Sequence, residues 1–417
     1  MEKSGKFRLT SLERNWILYD VGNSAFVLMV ATLIPIFFNA LAAAGGLSSV
    51  EYLAYWGYAS SAVTIITAVL SPILGTVADT KGFKKPIFIL CVFVGIVGCC
   101  AMGAVSAWLP FLVIFVIAKV GFSGSLVFYD SMLSDVTTPE RMDEVSSRGY
   151  AWGYIGSCIP FVVCLGLVLG AGSIGISQMT ALNLALLLTA AWWLLTTLPL
   201  LKSYKQLYYV EVEKHAVRQS FVRIGHTLRH LPEDKQVFWF LLAFFCYIDG
   251  VYTIIDMATA YGTALGLDTT GLLLALLVTQ IVAFPSALVF GRLSNKYPSA
   301  KLIPVCIAAY AGIAVFAFFL TQQWQFWVLA VIVGMFQGGV QALSRSHFAK
   351  IIPPEKSGEY FGLFDICGKG ASFLGTMIVS VGSQLTGSAN VGVGSLILLF
   401  IVGFVLFRVS CRQGETA

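Results

Sequence analysis

Charge is what this sequence has least of. Only 11% of its 417 residues are Asp, Glu, Lys or Arg, against about a quarter in soluble proteins. Length alone would suggest two or three soluble domains, and that shortage excludes them. Histidine is scarce as well. His215, His226, His230 and His347 are the four present, and they lack metal-ligand spacing. No Walker loop occurs, so ATP-driven transport is not expected, and neither a cofactor nor a nucleic-acid partner is implied. None of the nine cysteines falls in an outer connection. Eight lie in apolar runs and Cys411 lies in the C-terminal tail, a distribution of small packing residues rather than a disulfide framework.

What is present is apolar length. Apolar residues make up 58% of the chain and aromatics 13%, with a mean hydropathy of +0.84. A helix needs about 20 apolar residues to cross a bilayer. Such runs fall near 16–42, 51–76, 86–105, 109–134, 148–171 and 179–201, then near 236–262, 270–291, 302–320, 324–346, 359–383 and 390–408. Twelve membrane helices are expected. The first run, of 27 residues from Trp16 to Ala42, exceeds the roughly 7–15 of a signal segment and is expected to remain as a helix. Neither end carries a lipidation motif.

Orientation follows from the basic residues. The two tails and the connections 2–3, 4–5, 6–7, 8–9 and 10–11 hold 24 of the 26 Lys and Arg, and the other connections hold none. Both termini are therefore expected in the cytoplasm. The chain reads as a bundle of six helices over 1–201, a connector over 202–235 and a second bundle over 236–417. In the connector, Val217, Phe221, Ile224, Leu228 and Leu231 recur at helical spacing among Arg218, Arg223 and Arg229. That pattern fits an amphipathic helix on the membrane surface, either a tether or a lipid-sensing element. The two bundles also repeat. GTVADTKGFKKP at 75–86 answers GRLSNKYPSAK at 291–301, and SDVTTPER at 134–141 answers AKIIPPEK at 349–356, with offsets of 216 and 215 residues. Parallel halves with a site between them are a transporter architecture.

GTVADTKGFKKP resembles the signature between the second and third helices of the major facilitator superfamily, here through Gly75, Asp79, Gly82, Lys84 and Lys85. Asp79 can sit at a neighbouring helix N-terminus or pair with a basic residue in one state only. Thr80 and Phe83 stand where that family often has Arg. NWILYDVGNSAF at 15–26, RGYAWGYIGS at 148–157, FLLAFFCYIDGVYTIIDMATAYG at 240–262 and GGVQALSRSHFAKIIPPEKSGEYFGLFDICGKGASFLG at 338–375 are similar to the bacterial "unknown major facilitator" family. That branch is related to the fungal autophagy-associated vacuolar amino-acid effluxers. The resemblance implies an all-α major facilitator fold, alternating access, a central cavity lined by helices 1, 4, 7 and 10, and a monomer.

Ionisable side chains inside a membrane cost at least about 2.5–3.5 kcal/mol at a helix centre, so they mark pathways. Asp249 and Asp256 are seven residues apart on one face of helix 7, beside Tyr252 and Thr253. They are proton-coupling candidates, with a vestibule position open for Asp256 and a backbone hydrogen bond beside Gly250 open for Asp249. Asp365 and Lys369 can pair on helix 11, Asp365 being a third proton candidate and Lys369 a solute contact. Lys119 lies deep in helix 4 and needs a carboxylate or a substrate anion. Gln337 and Gln341 form a stripe that can hydrogen-bond a polar solute or cross-link helices. Asp130 suits a gate partner for Lys84, Lys85 or Arg148, and Arg345 belongs near the same exit. Asp20 is about 7 Å past Asn15 at 1.5 Å per residue, so it reads as an inner-gate group, with Asn23 the solute contact one turn deeper. The function expected is secondary transport of a small polar or zwitterionic, amino-acid-like solute across the cytoplasmic membrane, coupled to H+. A lipid or amphiphile flippase of the same fold is the alternative. A receptor or scaffold has no need of a duplicated gate motif.

Overall fold

The computed structural model describes residues 7–211, 224–227 and 229–416; the side chains of a few helical positions, Lys369 among them, lie outside that description. Almost everything described is helix. The first apolar run gives α1 (Ser11–Ala31) and α2 (Leu33–Ala44). Thr10 and Glu13 start α1 reciprocally: Thr10 Oγ1 accepts the Glu13 N–H at 3.1 Å, and Glu13 Oε2 accepts the Thr10 N–H at 2.7 Å. The run breaks at Thr32 because Pro35 has no N–H for the Ala31 carbonyl one turn back.

Next come α3 (Ser49–Ala78), α4 (Lys84–Met102), α5 (Trp108–Ser131), the single turn α6 (Leu133–Val136), α7 (Met142–Leu169) and α8 (Gln178–Ser203). Beyond the connector follow α9 (Lys235–Ala264), α10 (Thr269–Leu293), α11 (Ser299–Phe318), α12 (Gln323–Ile351) and α13 (Ser357–Thr386). The last apolar run divides at its glycine-rich VGVGS stretch into α14 (Ala389–Gly394) and α15 (Ile397–Thr416). Among the described residues, 11 helical stretches are long and apolar enough to cross a membrane. α13, with 30 residues, is as long as these. The helices outrun the apolar stretches at several ends because capping residues are polar.

In the connector, Ile224 and Thr227 are buried. Val217, Phe221 and Leu228, with His215, Arg218 and Arg223, lie outside the described residues.

The helices before the connector pack mainly on one another, α1 against α7 and α8 and α4 against α5; those after it do the same, α9 against α13 and α15 and α10 against α12. Between the two sets, α3 meets α13, and α7 meets α10 and α12. One end of the bundle gathers the start of α1, the end of α8, the start of α9 and the end of α15. There Asn15 Nδ2 donates to Ser203 Oγ at 3.0 Å, and Ser410 Oγ donates to the Gln236 carbonyl at 2.8 Å. The Lys- and Arg-bearing connections meet at this end, here called the basic end.

Candidate functional site

A cavity of about 630 Å3 lies between the two sets of helices. Four carboxylates, Asp20, Asp130, Asp256 and Asp365, reach it, as do two cations, Lys119 and Arg345. Asn23, Tyr252, Gln337 and Gln341 also line it. Tyr154 donates its hydroxyl to Gln341 Oε1 at 2.7 Å, and Asn23 Nδ2 bonds the Tyr19 carbonyl at 3.2 Å. Gln337 is 5% exposed, and its Oε1 has no hydrogen-bond partner among the described residues. A buried, unsatisfied acceptor in a cavity wall is costly unless a solute or water meets it. The Lys119 ammonium sits 4.6 Å from the Phe122 ring centre and 5.9 Å from that of Phe26. Asp256 lines the same cavity. Asp365 accepts the Ser71 hydroxyl at 2.7 Å, joining α13 to α3.

At the basic end the cavity is closed by contacts that cross between the two sets. Arg345 of α12 forms the floor. Its Nη1 meets Asp130 Oδ1 at 3.0 Å and lies 3.8 Å from Asp20 Oδ2. Its Nε and Nη2 donate to the hydroxyl and carbonyl of Ser146 at 2.9 and 3.0 Å. The guanidinium also packs over Tyr150, Trp16 and Tyr129, at 4.3, 4.7 and 5.4 Å from their centres. A planar fork can use donors and faces together in this way, and an ammonium cannot. Below it, Asp143 accepts from Ser346 and from Lys350, each at 2.6 Å, and Asn295 donates to Glu144 at 2.8 Å.

The second part of this closure is the crossing of α3 and α13. A Cβ on Gly75 would lie 2.1 Å from the Gly358 carbonyl oxygen, and one on Gly358 would lie 2.5 Å from that of Gly75. Only hydrogen at both positions permits this approach. Asp79 then reaches the first turn of α13, where its two oxygens accept the Gly358 and Glu359 N–H groups at 2.7 and 2.8 Å. Lys84 is wholly buried beside it, 3.8 Å from Asp79, 3.4 Å from Asp135 and 2.9 Å from Ser357 Oγ. Burial pushes the Asp79 pKa up to about 7, although Lys84 and the two N–H groups pull it down. Gly82, at a φ of 79°, turns the chain between α3 and α4.

Several residues stand elsewhere than the sequence suggested. Asp130 is paired with Arg345, not with Lys84, Lys85 or Arg148. Arg148 bonds Glu144 within its own helix and lies over Phe7, and Lys85 makes no ion pair among the described residues. Asp249 does not line the cavity. It is buried against α13, where both its oxygens lie 2.9 Å from the Gly375 N–H, with the Thr253 hydroxyl at 3.2 Å. Thr253 faces a separate apolar recess rather than the cavity. The Asp365–Lys369 pair falls outside the described residues, because the Lys369 side chain does. Sequence reasoning passed over Asp135, Asp143, Glu144, Ser146 and Ser357. The signal was available: Asp135 lies within the repeated SDVTTPER, and carboxylates beside duplicated basic residues are candidates for pairing.

Comparison with known proteins fits this geometry. The profile of the family described as "Vacuole effluxer Atg22 like" matches residues 11–416. The chain belongs to the Atg22-like family. The MFS-type transporter YxiO of Bacillus subtilis (strain 168) is 42% identical over 98% of this chain and 97% of its own length. Autophagy-related protein 22 of Coccidioides immitis (strain RS) is 26% identical over 65% of this chain and 51% of its own length, so the chain spans about half of that fungal relative. Two solved structures share the fold. The human organic anion transporter MFSD10 has a TM-score of 0.72 at 14% identity, covering 95% of this chain and 99% of its own. The outward-conformation structure of FucP has 0.68 at 16%, covering 96% and 97%. This Atg22-like chain is therefore a multi-pass membrane protein of the major facilitator superfamily.

Proposed function

We propose that this Atg22-like protein is a secondary transporter for a small, polar or zwitterionic, amino-acid-like solute, working by alternating access and coupled to H+. The observation that carries the reading is a central cavity walled by both signs of charge and closed at one end by contacts between two helical sets. A rigid scaffold needs neither. Arg345 has its donors engaged by Asp130 and Ser146, so it suits the gate. Lys119 lines the cavity and suits a solute carboxylate, with Asp256 and the Gln337 acceptor for an ammonium. Asp249, which sits away from the cavity, suits a proton site rather than a solute contact. In this reading all twelve helices cross the membrane, both termini are cytoplasmic, and the structure is the state closed to the cytoplasm. The membrane is the cytoplasmic one.

A second reading has one specific observation in its favour. An apolar recess of about 140 Å3 between α3, α4 and α5 shares Thr67 and Val127 with the cavity, a side route suited to an amphiphile. Purified protein in proteoliposomes separates the two. Counterflow of labelled amino acids, lost in Lys119→Gln and Asp256→Asn, is the expected result. Lipid scrambling without counterflow would overturn the solute reading.

A further inference from the structure

The chain leaving α8 does not go straight to the second set of helices. Residues 204–211 first run across the turn between α3 and α4, and they meet it atom by atom. Gln206 Nε2 donates to the Ala78 carbonyl at 3.1 Å, and Gln206 Oε1 accepts the Gly82 N–H at 3.0 Å. Val210 donates its N–H to the Asp79 carbonyl at 2.8 Å and accepts the Lys81 N–H at 3.1 Å, a parallel bridge between Thr80 and Val210. The same segment surrounds Asp135. Tyr204 donates its hydroxyl at 2.6 Å, and the Leu207 and Tyr208 N–H groups follow at 2.9 and 3.0 Å.

Asp135 is 3% exposed and Tyr204 is 2%. A carboxylate that deep, facing a buried Lys84, keeps one geometry only when its remaining lone pairs are filled. Here three of its four donors come from the connector and the fourth from Lys84. Lys84 in turn holds Ser357 at the start of α13. The order of contacts is thus connector, Asp135, Lys84, α13. The turn that aims Asp79 at α13 is fixed from its outer side by the same eight residues.

We propose that residues 204–211 are a latch of the gate, with Tyr204 and Val210 as positioning residues that set Asp135, Lys84 and Asp79 for the closed state. The inference rests on the reading of the α3–α13 crossing as a gate. Because the latch belongs to the connector rather than to either helical set, whatever draws the connector away weakens the closed state without touching the cavity.

Spin labels at positions 85 and 355, flanking the crossing in full-length protein without its nine cysteines, report the closed and open populations. Tyr204→Phe removes one hydrogen bond to a buried carboxylate, and Val210→Pro removes the N–H held by Asp79. Each is expected to raise the open-to-closed ratio about tenfold, with unchanged solute affinity and melting temperature. Glu211→Gln breaks a surface pair, 3.5 Å from Lys81 with both side chains more than half exposed, and should leave the ratio alone. Asp79→Asn separates the two claims. If it fails to shift the ratio, the gate reading falls. If it shifts the ratio while Tyr204→Phe and Val210→Pro do not, the latch alone falls. Should Val210→Pro fail to fold, Tyr204→Phe decides.

Discussion

Adding one methyl group at Gly75 is the sharpest way to test the closure at the basic end. The new Cβ would lie 2.1 Å from the Gly358 carbonyl oxygen and 2.7 Å from its carbon. Both are backbone atoms, so no rotamer change relieves the clash. α13 must recede by more than an ångström to reach the 3.4 Å of ordinary contact. Overpacking of this kind costs about 1–3 kcal/mol. Retreat also stretches the two hydrogen bonds from Asp79 to the α13 N-terminus, each worth about 1.5–3 kcal/mol for a charged acceptor. On the proposed alternating-access reading, all of this falls on the closed state, because there the two helices part when the end opens. The open-to-closed ratio should rise by about tenfold at the least. Alanine is also the better helix former by about 1 kcal/mol, which offsets part of this cost, and a melting curve on the same sample separates a shift in the ratio from unfolding. Spin-label distances between positions 85 and 355 measure it. Gly57→Ala, on the same helix with nothing within 4 Å, is the control. An unchanged distance distribution and unchanged uptake in Gly75→Ala would refute the crossing as a gate.

Other outcomes follow from the same geometry. Asp79 has a pKa of about 7 when closed, against an ordinary 3.8, so the closed state binds the extra proton between those values. Its added stability is full below about pH 4 and is lost as pH rises through about 7. Acidification from pH 8 to 5 should therefore populate the closed state, with Lys84, Asp135 and Glu359 facing the same group, and Asp79→Asn should flatten the response. Lys119→Gln is expected to abolish solute binding in a thermal-shift assay, whereas Asp249→Asn, away from the cavity, should keep binding and lose only uptake driven by a pH gradient. Equal loss of binding in both would place Asp249 among the solute contacts. Exchanging the floor pair, Asp130→Arg with Arg345→Asp, should recover more counterflow than Asp130→Arg alone. It should still fall short of the parent, because the Trp16, Tyr129 and Tyr150 faces stay where they are. A double exchange no better than the single would show that the pair is not what closes the floor.

The all-helical, membrane-spanning fold could be read from apolar run length, because membrane insertion forces that property onto local sequence. Gly75 and Asp79 were visible as a motif. The partners were not. Asp130 meets a residue 215 positions away, and no local pattern encodes which of several cations arrives. Helical period correctly puts Asp249 and Asp256 on one face of α9. It does not say that α13 covers that face at Gly375 and leaves it open at Asp256. The carboxylates of α6 and α7 were overlooked for a different reason. Counting Lys and Arg to set orientation treats the connections as charge markers, whereas Asp135, Asp143 and Glu144 are packed between helices there.

The two duplicated landmarks of the sequence relate several of the residues that meet at the basic end. Asp130 and Arg345 differ by 215 residues, the offset of the second duplicated landmark, so the sequence repeat puts them in register with each other. These two side chains meet across the cavity floor, where identical charges would repel in a low dielectric. One half carries the carboxylate and the other the guanidinium, which turns an unavoidable juxtaposition into a bond. The same offset relates Asp135 to Lys350. Asp135 pairs with Lys84 of the first set and takes its other donors from the connector, while Lys350 crosses over to Asp143. At the paired turns, Asp79 has become Asn295: the first accepts two N–H groups at a helix start, and the second donates to Glu144. The duplicated ends thus close by complementary rather than matching chemistry, and of the two turn residues only Asp79 can change charge with pH.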